Sequence, residues 1–316
     1  MNLAKSILFC SALLAFVADA SAVTMIWSYV GNAGNANDGT GLGAVGYNFN
    51  IGTYDVTNNQ YVEFLNAKDP TGTSPLRLYN ADMSSPHGGI NYNSGALGGS
   101  KYSVVSGRGN WPANATSWYD AVRFANWINN GQGNGDTETG AYTLGSLGAF
   151  GIPTKGLSIT RNAGATVFLP TENEWYKAAY NIPGTNSYNL YPTSSSLVPT
   201  ATGPTATPNS ANYNNAVGNL TDVSAYSGTS SPYGVFGMAG NVYQWNEAVD
   251  LGLFRKVRGV SFTDSSEFMK SSTWEAFNPT LESYDVGFRV ATVPEPSTFA
   301  LAAFGFIALA WRLRRR

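Results

Sequence analysis

The stretch GVFGMAGNVYQWNE, residues 234–247, sets small residues among bulky ones: Gly237, Gly240 and Asn241 lie between Phe236 and Trp245. Glycine and asparagine enter left-handed backbone at little cost. The segment therefore reads as a tight turn, and whether it serves as a scaffold, a metal site or the floor of an active site depends on what surrounds it. A turn of this kind needs packed elements on either side, and the search for them leads outward in both directions.

Downstream, FRKVRGVSF (254–262) and DVGFRVAT (285–292) read as short strands. Upstream, AVGYNFNIGTYDVTNNQYVEFLN (44–66) begins with the alternation of a strand. It continues as a helix capped by Thr57 with Gln60 as capping-box partner, and Tyr61, Phe64 and Leu65 form a core stripe. WPANATSWYDAVRFANWINN (111–130) predicts a second helix, capped by Thr116 or Ser117, with Trp118, Val122, Ala125 and Ile128 on one face. LPTENEWYKAAY (169–180) predicts a third, where Thr171 and Glu174 form a capping box. Glu174 is accordingly a cap and not a catalytic acid. Residues 70–110 and 181–232, rich in Gly, Ser, Asn, Pro and Thr, read as long loops. No internal repeat is present.

Composition narrows the function. Charged residues make up 12% of the 316 and aromatics 13%, which fits a loop-rich globular chain and not a disordered one. Residues 23–295 carry 13 basic and 19 acidic side chains, a net of −6. A nucleic-acid partner calls for a basic surface, so none is expected.

Both ends carry export signals. Lys5, the apolar ILFCSALLAFVA (7–18) and small residues at 18–22 have the pattern of a secretory signal peptide over residues 1–22. The one cysteine, Cys10, falls inside it, so the exported chain is expected to hold no thiol. The other end, VPEPSTFALAAFGFIALAWRLRRR (293–316), places an apolar run at 297–311 between Pro-Glu-Pro and an arginine cluster. That run is short for a permanent span, which needs about 20 residues. The three parts in this order resemble the PEP-CTERM sorting tail of Gram-negative bacteria. The resemblance implies cutting by an exosortase, a transient stay in the inner membrane, a cell-surface or extracellular destination and an association with extracellular polysaccharide.

Between the signals, residues 23–292 read as one domain. Here YDVTNNQYVEFLN, ATSWYDAVRFANWIN, LPTENEWYKAAY, YGVFGMAGNVYQW, KVRGVSF and VGFRVA, taken in order, resemble the formylglycine-generating enzyme, or sulfatase-modifying factor, family. The resemblance covers residues 44–291 and implies an α+β, C-type lectin-like fold with long loops and little regular secondary structure. It also implies two structural calcium sites. One would use Gly240, Val242 and Gln244, with Gln244 where the family has Glu. The other would use Asn212, Tyr213 and Asn215.

The family enzyme oxidises a substrate cysteine with copper held by two cysteines. Counted back from Gly287, those positions fall near Ser266 and Ser271. A serine hydroxyl does not hold Cu(I), which prefers thiolate, so no copper is expected. Iron or zinc held by histidines is not expected either, because His87 is the only histidine and reads as a solvated loop residue. The resulting expectation is a non-catalytic binding module for polysaccharide or protein. Trp118, Trp175 and Trp245 are expected in the core, and Trp274 on the surface as a ligand-binding residue. The alternative is an enzyme with cysteine-independent chemistry on a surface glycan or protein. Such an enzyme would use a pair among Asp264, Glu267, Glu275, Glu282 and Asp285, or a Ser-His-Asp arrangement around His87.

Overall fold

The computed structural model describes residues 22–293. The signal at 1–22 lies almost wholly outside the described residues, and the apolar run at 297–311 lies outside them entirely. Among the described residues no helix is long and apolar enough to cross a membrane. In chain order the elements are β1 (Trp27–Val30), β2 (Phe49–Gly52), α1 (Asn58–Lys68), β3 (Ile90–Tyr92), β4 (Tyr102–Val104), α2 (Trp118–Asn129), β5 (Val167–Phe168), α3 (Glu172–Tyr180), β6 (Thr200–Ala201), β7 (Ser210–Ala211), β8 (Tyr243–Asp250), β9 (Phe254–Arg258), β10 (Glu275–Phe277), β11 (Val286–Phe288) and β12 (Ala291–Thr292). The architecture is α+β, with most of the chain in loops.

Two four-stranded sheets frame the molecule, in the orders β1-β2-β12-β5 and β10-β9-β8-β11. The first is antiparallel throughout, and Ala291 of β12 lies between Ile51 and Phe168. In the second, β8 and β9 form an antiparallel hairpin while β11 joins β8 in parallel. The sequence motif 285–292 is thus divided, since β11 and β12 belong to different sheets. Arg289 lies between them and ties the two together.

Each helix begins where its cap predicts. Thr57 with Gln60, Ser117 with Asp120, and Thr171 with Glu174 all close capping boxes. Ser117, and not Thr116, caps α2. Tyr61, Phe64 and Leu65 are fully buried. The single apolar face expected for α2 is a partial description, because Trp118 to Trp127 are buried all round while Ile128 is only partly covered. Of the three charged or amide residues inside that run, Asp120 accepts from Ser117 within the capping box, and the other two have partners across the fold, as buried polar groups require. Arg123 pairs with Glu138 at 2.7 Å, and the Asn126 amide donates to the Thr137 and Tyr142 carbonyls. Trp118, Trp175 and Trp245 are buried, and each indole N–H reaches an oxygen. The 181–232 segment is irregular, yet Tyr191, Ala211 and Tyr213 join the same hydrophobic cluster as the helices.

Candidate functional site

The quoted stretch turns out to be a crossing point of the chain. The Gln244 side-chain oxygen accepts from Trp175 Nε1 at 2.8 Å and from Arg289 Nε at 2.6 Å. Its Nε2 donates to the Gly237 carbonyl at 2.7 Å. Arg289 also donates to the carbonyls of Gly52 and Phe236 and pairs with Asp55 at 2.9 Å. Neither partner of that pair is solvent-exposed. Gly240 has φ +78°, and an added Cβ would lie 2.1 Å from the Asn212 carbonyl oxygen, so only glycine fits. The segment is structural.

The calcium residues divide on the same observations. In the group of Gly240, Val242 and Gln244, the Gln244 amide is spent on protein partners. In the group of Asn212, Tyr213 and Asn215, Asn212 Nδ2 donates to Asn219 O and to Asn241 Oδ1, which leaves Asn212 Oδ1 buried with no hydrogen-bond partner. An orphaned amide oxygen suits a hard cation. Tyr213 is buried and its carbonyl accepts from Ala216 N, while Asn215, at φ 58°, is exposed. Among the described residues no group of three His, Cys, Asp or Glu side chains could hold a metal.

Of the two serines expected near the copper-ligand positions, Ser266 opens a 3-10 turn, Ser266–Met269, and Ser271 follows it. Ser266 is beside Tyr213. Ser271 is buried and lines an open cleft of about 440 Å³ with Asn37, Asp38, Asn186, Tyr188 and Asn189. The Ser271 N–H donates to Leu190 O, and Arg258, paired with Glu172, donates to Ser271 O. This buried ion pair fixes the cleft wall. Asp38 is the cleft's one carboxylate, and its acceptors are occupied. Oδ1 receives Thr40 N and Oγ1, and Oδ2 receives the Tyr176 hydroxyl. Burial, and then the Asp38 carboxylate, push the Tyr176 phenol up to about 12. Burial also raises the Tyr188 phenol, whose hydroxyl donates to Ala36 O and accepts from Asn35. In contrast, the Nδ2 groups of Asn37 and Asn186 and the whole Asn189 amide have no partner among the described residues, although Asn37 and Asn186 each accept with Oδ1. The cleft thus offers amides and hydroxyls around an aromatic ring, with no second carboxylate or histidine in its lining.

Trp274, the surface candidate, is 44% exposed but does not line this cleft. Its ring lies 4.1 Å below the Lys256 ammonium. His87 is not a solvated loop side chain. It is half-buried between Phe262 and Tyr284, with Nδ1 3.1 Å from Asn219 Oδ1, because the loop folds back onto the 262–284 segment. No serine or carboxylate hydrogen-bonds to its imidazole among the described residues (Ser85 Oγ accepts only from the His87 backbone N–H), so a triad does not assemble there. The five candidate carboxylates fall in three places. Asp264, Glu275 and Asp285 surround Tyr243, exposed Glu267 pairs with Lys270, and Glu282 lies in another cleft beside Asp120.

The sequence reading missed Asp38, Tyr176, Tyr188, Asn186 and Asn189. Their segments look like ordinary Asn-rich turns, and the one available signal was the density of asparagines at 32–50 and 186–189.

Comparison with known proteins agrees with this architecture. The model of the sulfatase-modifying factor enzyme 1-like domain matches residues 42–293, and that of the PEP-CTERM protein-sorting motif matches residues 292–316. Among solved structures, Treponema denticola variable protein 1 is similar with a TM-score of 0.53 and 18% identity, over 87% of this chain and 97% of that one. The crystal structure of CarF is similar with a TM-score of 0.55 and 21% identity, over 86% and 99%. These likenesses concern the fold. No curated protein sequence matches the chain.

Proposed function

Since the chain belongs to the sulfatase-modifying factor enzyme 1-like family and ends in a PEP-CTERM sorting motif, we propose that it is a binding module for extracellular polysaccharide, displayed outside the cell. The sorting motif marks it for export, exosortase processing and anchoring in the envelope. The carrying observation is the cleft at Ser271. Serine stands where the family's copper ligands are expected, and the unpartnered amides of Asn37, Asn186 and Asn189 surround Tyr188. Sugar hydroxyls hydrogen-bond to amides, and the apolar face of a sugar ring packs on an aromatic. Asp38 is already saturated and has no second carboxylate beside it, so acid–base chemistry lacks its pair in this cleft. Trp274 adds a second aromatic contact outside the cleft, and calcium at Asn212 is a structural ion of the loops.

The test is retention of the exported domain on the host's own extracellular polysaccharide, with and without a chelator. Retention that falls in Asn189→Ala supports the reading. No retention under either condition overturns it in favour of a protein partner. Release of new reducing ends from the polysaccharide would instead favour a cysteine-independent enzyme.

A further inference from the structure

A second cleft, of about 250 Å³, opens where the start of α2 meets the loops around residues 77, 150 and 282. It is close to the lower end of the roughly 300–1,000 Å³ of ligand pockets, which is room for one sugar ring. Asp120 forms its floor and is 2% exposed. Ser117 N and Oγ occupy Oδ2 of Asp120, while Oδ1 accepts no hydrogen bond among the described residues. Glu282 faces it, with Asn80 Nδ2 on one carboxylate oxygen at 2.5 Å and the other oxygen unbonded. The one cation beside the floor, Arg123, is neutralised by Glu138, and its remaining N–H groups hold the Leu76 and Gly151 carbonyls. The lip is Phe150, 70% exposed and in left-handed backbone at φ 57°, with the Arg77 guanidinium 4.8 Å from its ring centre. Arg77 is itself exposed, at φ 55°. Bulky residues held in this conformation are costly and collect at binding sites.

We propose that this cleft binds the protonated amino group of an amino sugar, with the ammonium between Asp120 and Glu282 and the ring against Phe150. Two close carboxylates, with the unpaired Arg77 guanidinium held out at the exposed lip over Phe150, keep an excess of negative charge that a cation in the cleft would compensate. A proton compensates it now. Burial pushes Asp120 up to about 6, with Glu138 reinforcing and Ser117 and Arg123 opposing; burial and then the Asp120 charge push Glu282 up to about 7, with Asp82 reinforcing and Asn80 and Arg77 opposing. Tyr61, buried nearby, keeps its proton because burial raises its phenol. An ammonium replaces the carboxyl proton and adds hydrogen bonds to the two free oxygens. A calcium ion fits less well, since it takes six to eight oxygens and two side-chain oxygens are free. The exposed apolar ring favours a carbohydrate carrier for the ammonium. The cleft shares no lining residue with the one at Ser271, so the two proposals fail separately.

The experiment is calorimetric titration of the full-length protein at low salt with glucosamine trimer and with N-acetylglucosamine trimer. Binding of the amine at pH 7, no binding of the acetylated trimer, and an about tenfold loss of affinity at pH 5 support the proposal. Glu282→Gln should lose about tenfold. Phe150→Gly should also weaken binding while relaxing the backbone. Arg77→Ala, which removes a competing cation, should tighten it. Equal binding of the two trimers, no binding of the amine at pH 7, calcium alone saturating the site, or weaker binding by Arg77→Ala would each overturn it. Phe150 and Arg77 are exposed, so their variants keep the test decisive if Glu282→Gln fails to fold.

Discussion

The turn at residues 237–245 and the cleft at Ser271 are built from the same materials, amides, aromatics and an arginine–carboxylate pair, yet they end in opposite states. At the turn, Gln244 spends both ends of its amide on Trp175, Arg289 and Gly237. At the cleft, buried Arg258 and Glu172 hold the wall, while Asn186 and Asn189 keep donors facing outward. Saturated polar groups specify a fold, and unsaturated exposed ones are available to a ligand. Residue type alone does not separate the two cases.

The comparison breaks most visibly at the turn. Arg289→Ala leaves Asp55 buried without its cation and should cost about 3–5 kcal/mol. Gln244→Ala, which strands Arg289 and Trp175, should cost about 3 kcal/mol, and denaturant midpoints check both. Losses under about 1 kcal/mol would mean that the turn is not structural. Titration sharpens the contrast. Burial pushes Asp55 up to about 6 despite Arg289, and Asp120 and Glu282 rise as well. A raised carboxyl favours folding below its unfolded value, and that contribution disappears as pH climbs through the folded value. The Tm should therefore rise by about 3 °C from pH 7.5 to pH 5 in a thermal scan. Glu174 does not reverse this. Burial would raise it, but Arg161, Tyr47 and the Thr171 cap hold it below the ordinary carboxylate range, so its stabilisation fails only in stronger acid.

At the cleft the expected effects are on binding. Asn189→Ala should weaken retention on polysaccharide about fivefold with Tm unchanged, whereas Tm loss in parallel would assign Asn189 to the scaffold. Trp274→Ala, outside the cleft lining, should weaken it only about twofold. The smallest effect is calcium's: millimolar ion should raise Tm by about 1–2 °C, and Asn212→Ala should abolish the rise. A rise that survives in Asn212→Ala would place the ion elsewhere.

The caps were legible because they are local. Thr57 with Gln60 and Thr171 with Glu174 are contacts between residues three apart, and a linear chain displays them, whereas the choice of Ser117 over Thr116, with Asp120 as its partner, was made by the folded chain. Burial of Trp118, Trp175 and Trp245 was legible from helical spacing and motif. The cleft was not. Asp38 meets Tyr176, and Asn186 meets Ala36, across some 140–150 residues of chain, in loops that no periodicity describes. The same limit hid the pairing of Glu282 with Asp120 and moved His87 from solvent into an aromatic pocket.

The sequence by itself determined the family, the helix starts, the sorting tail and the serines at 266 and 271, because each is a pattern of neighbours or of ordered motifs. Tertiary structure alone decided that Gln244 is a scaffold residue, that the amides around Tyr188 share one cleft, and that Trp274 lies outside it. Hydrogen-bond saturation depends on which distant groups arrive at each polar atom, and only the folded chain brings them there.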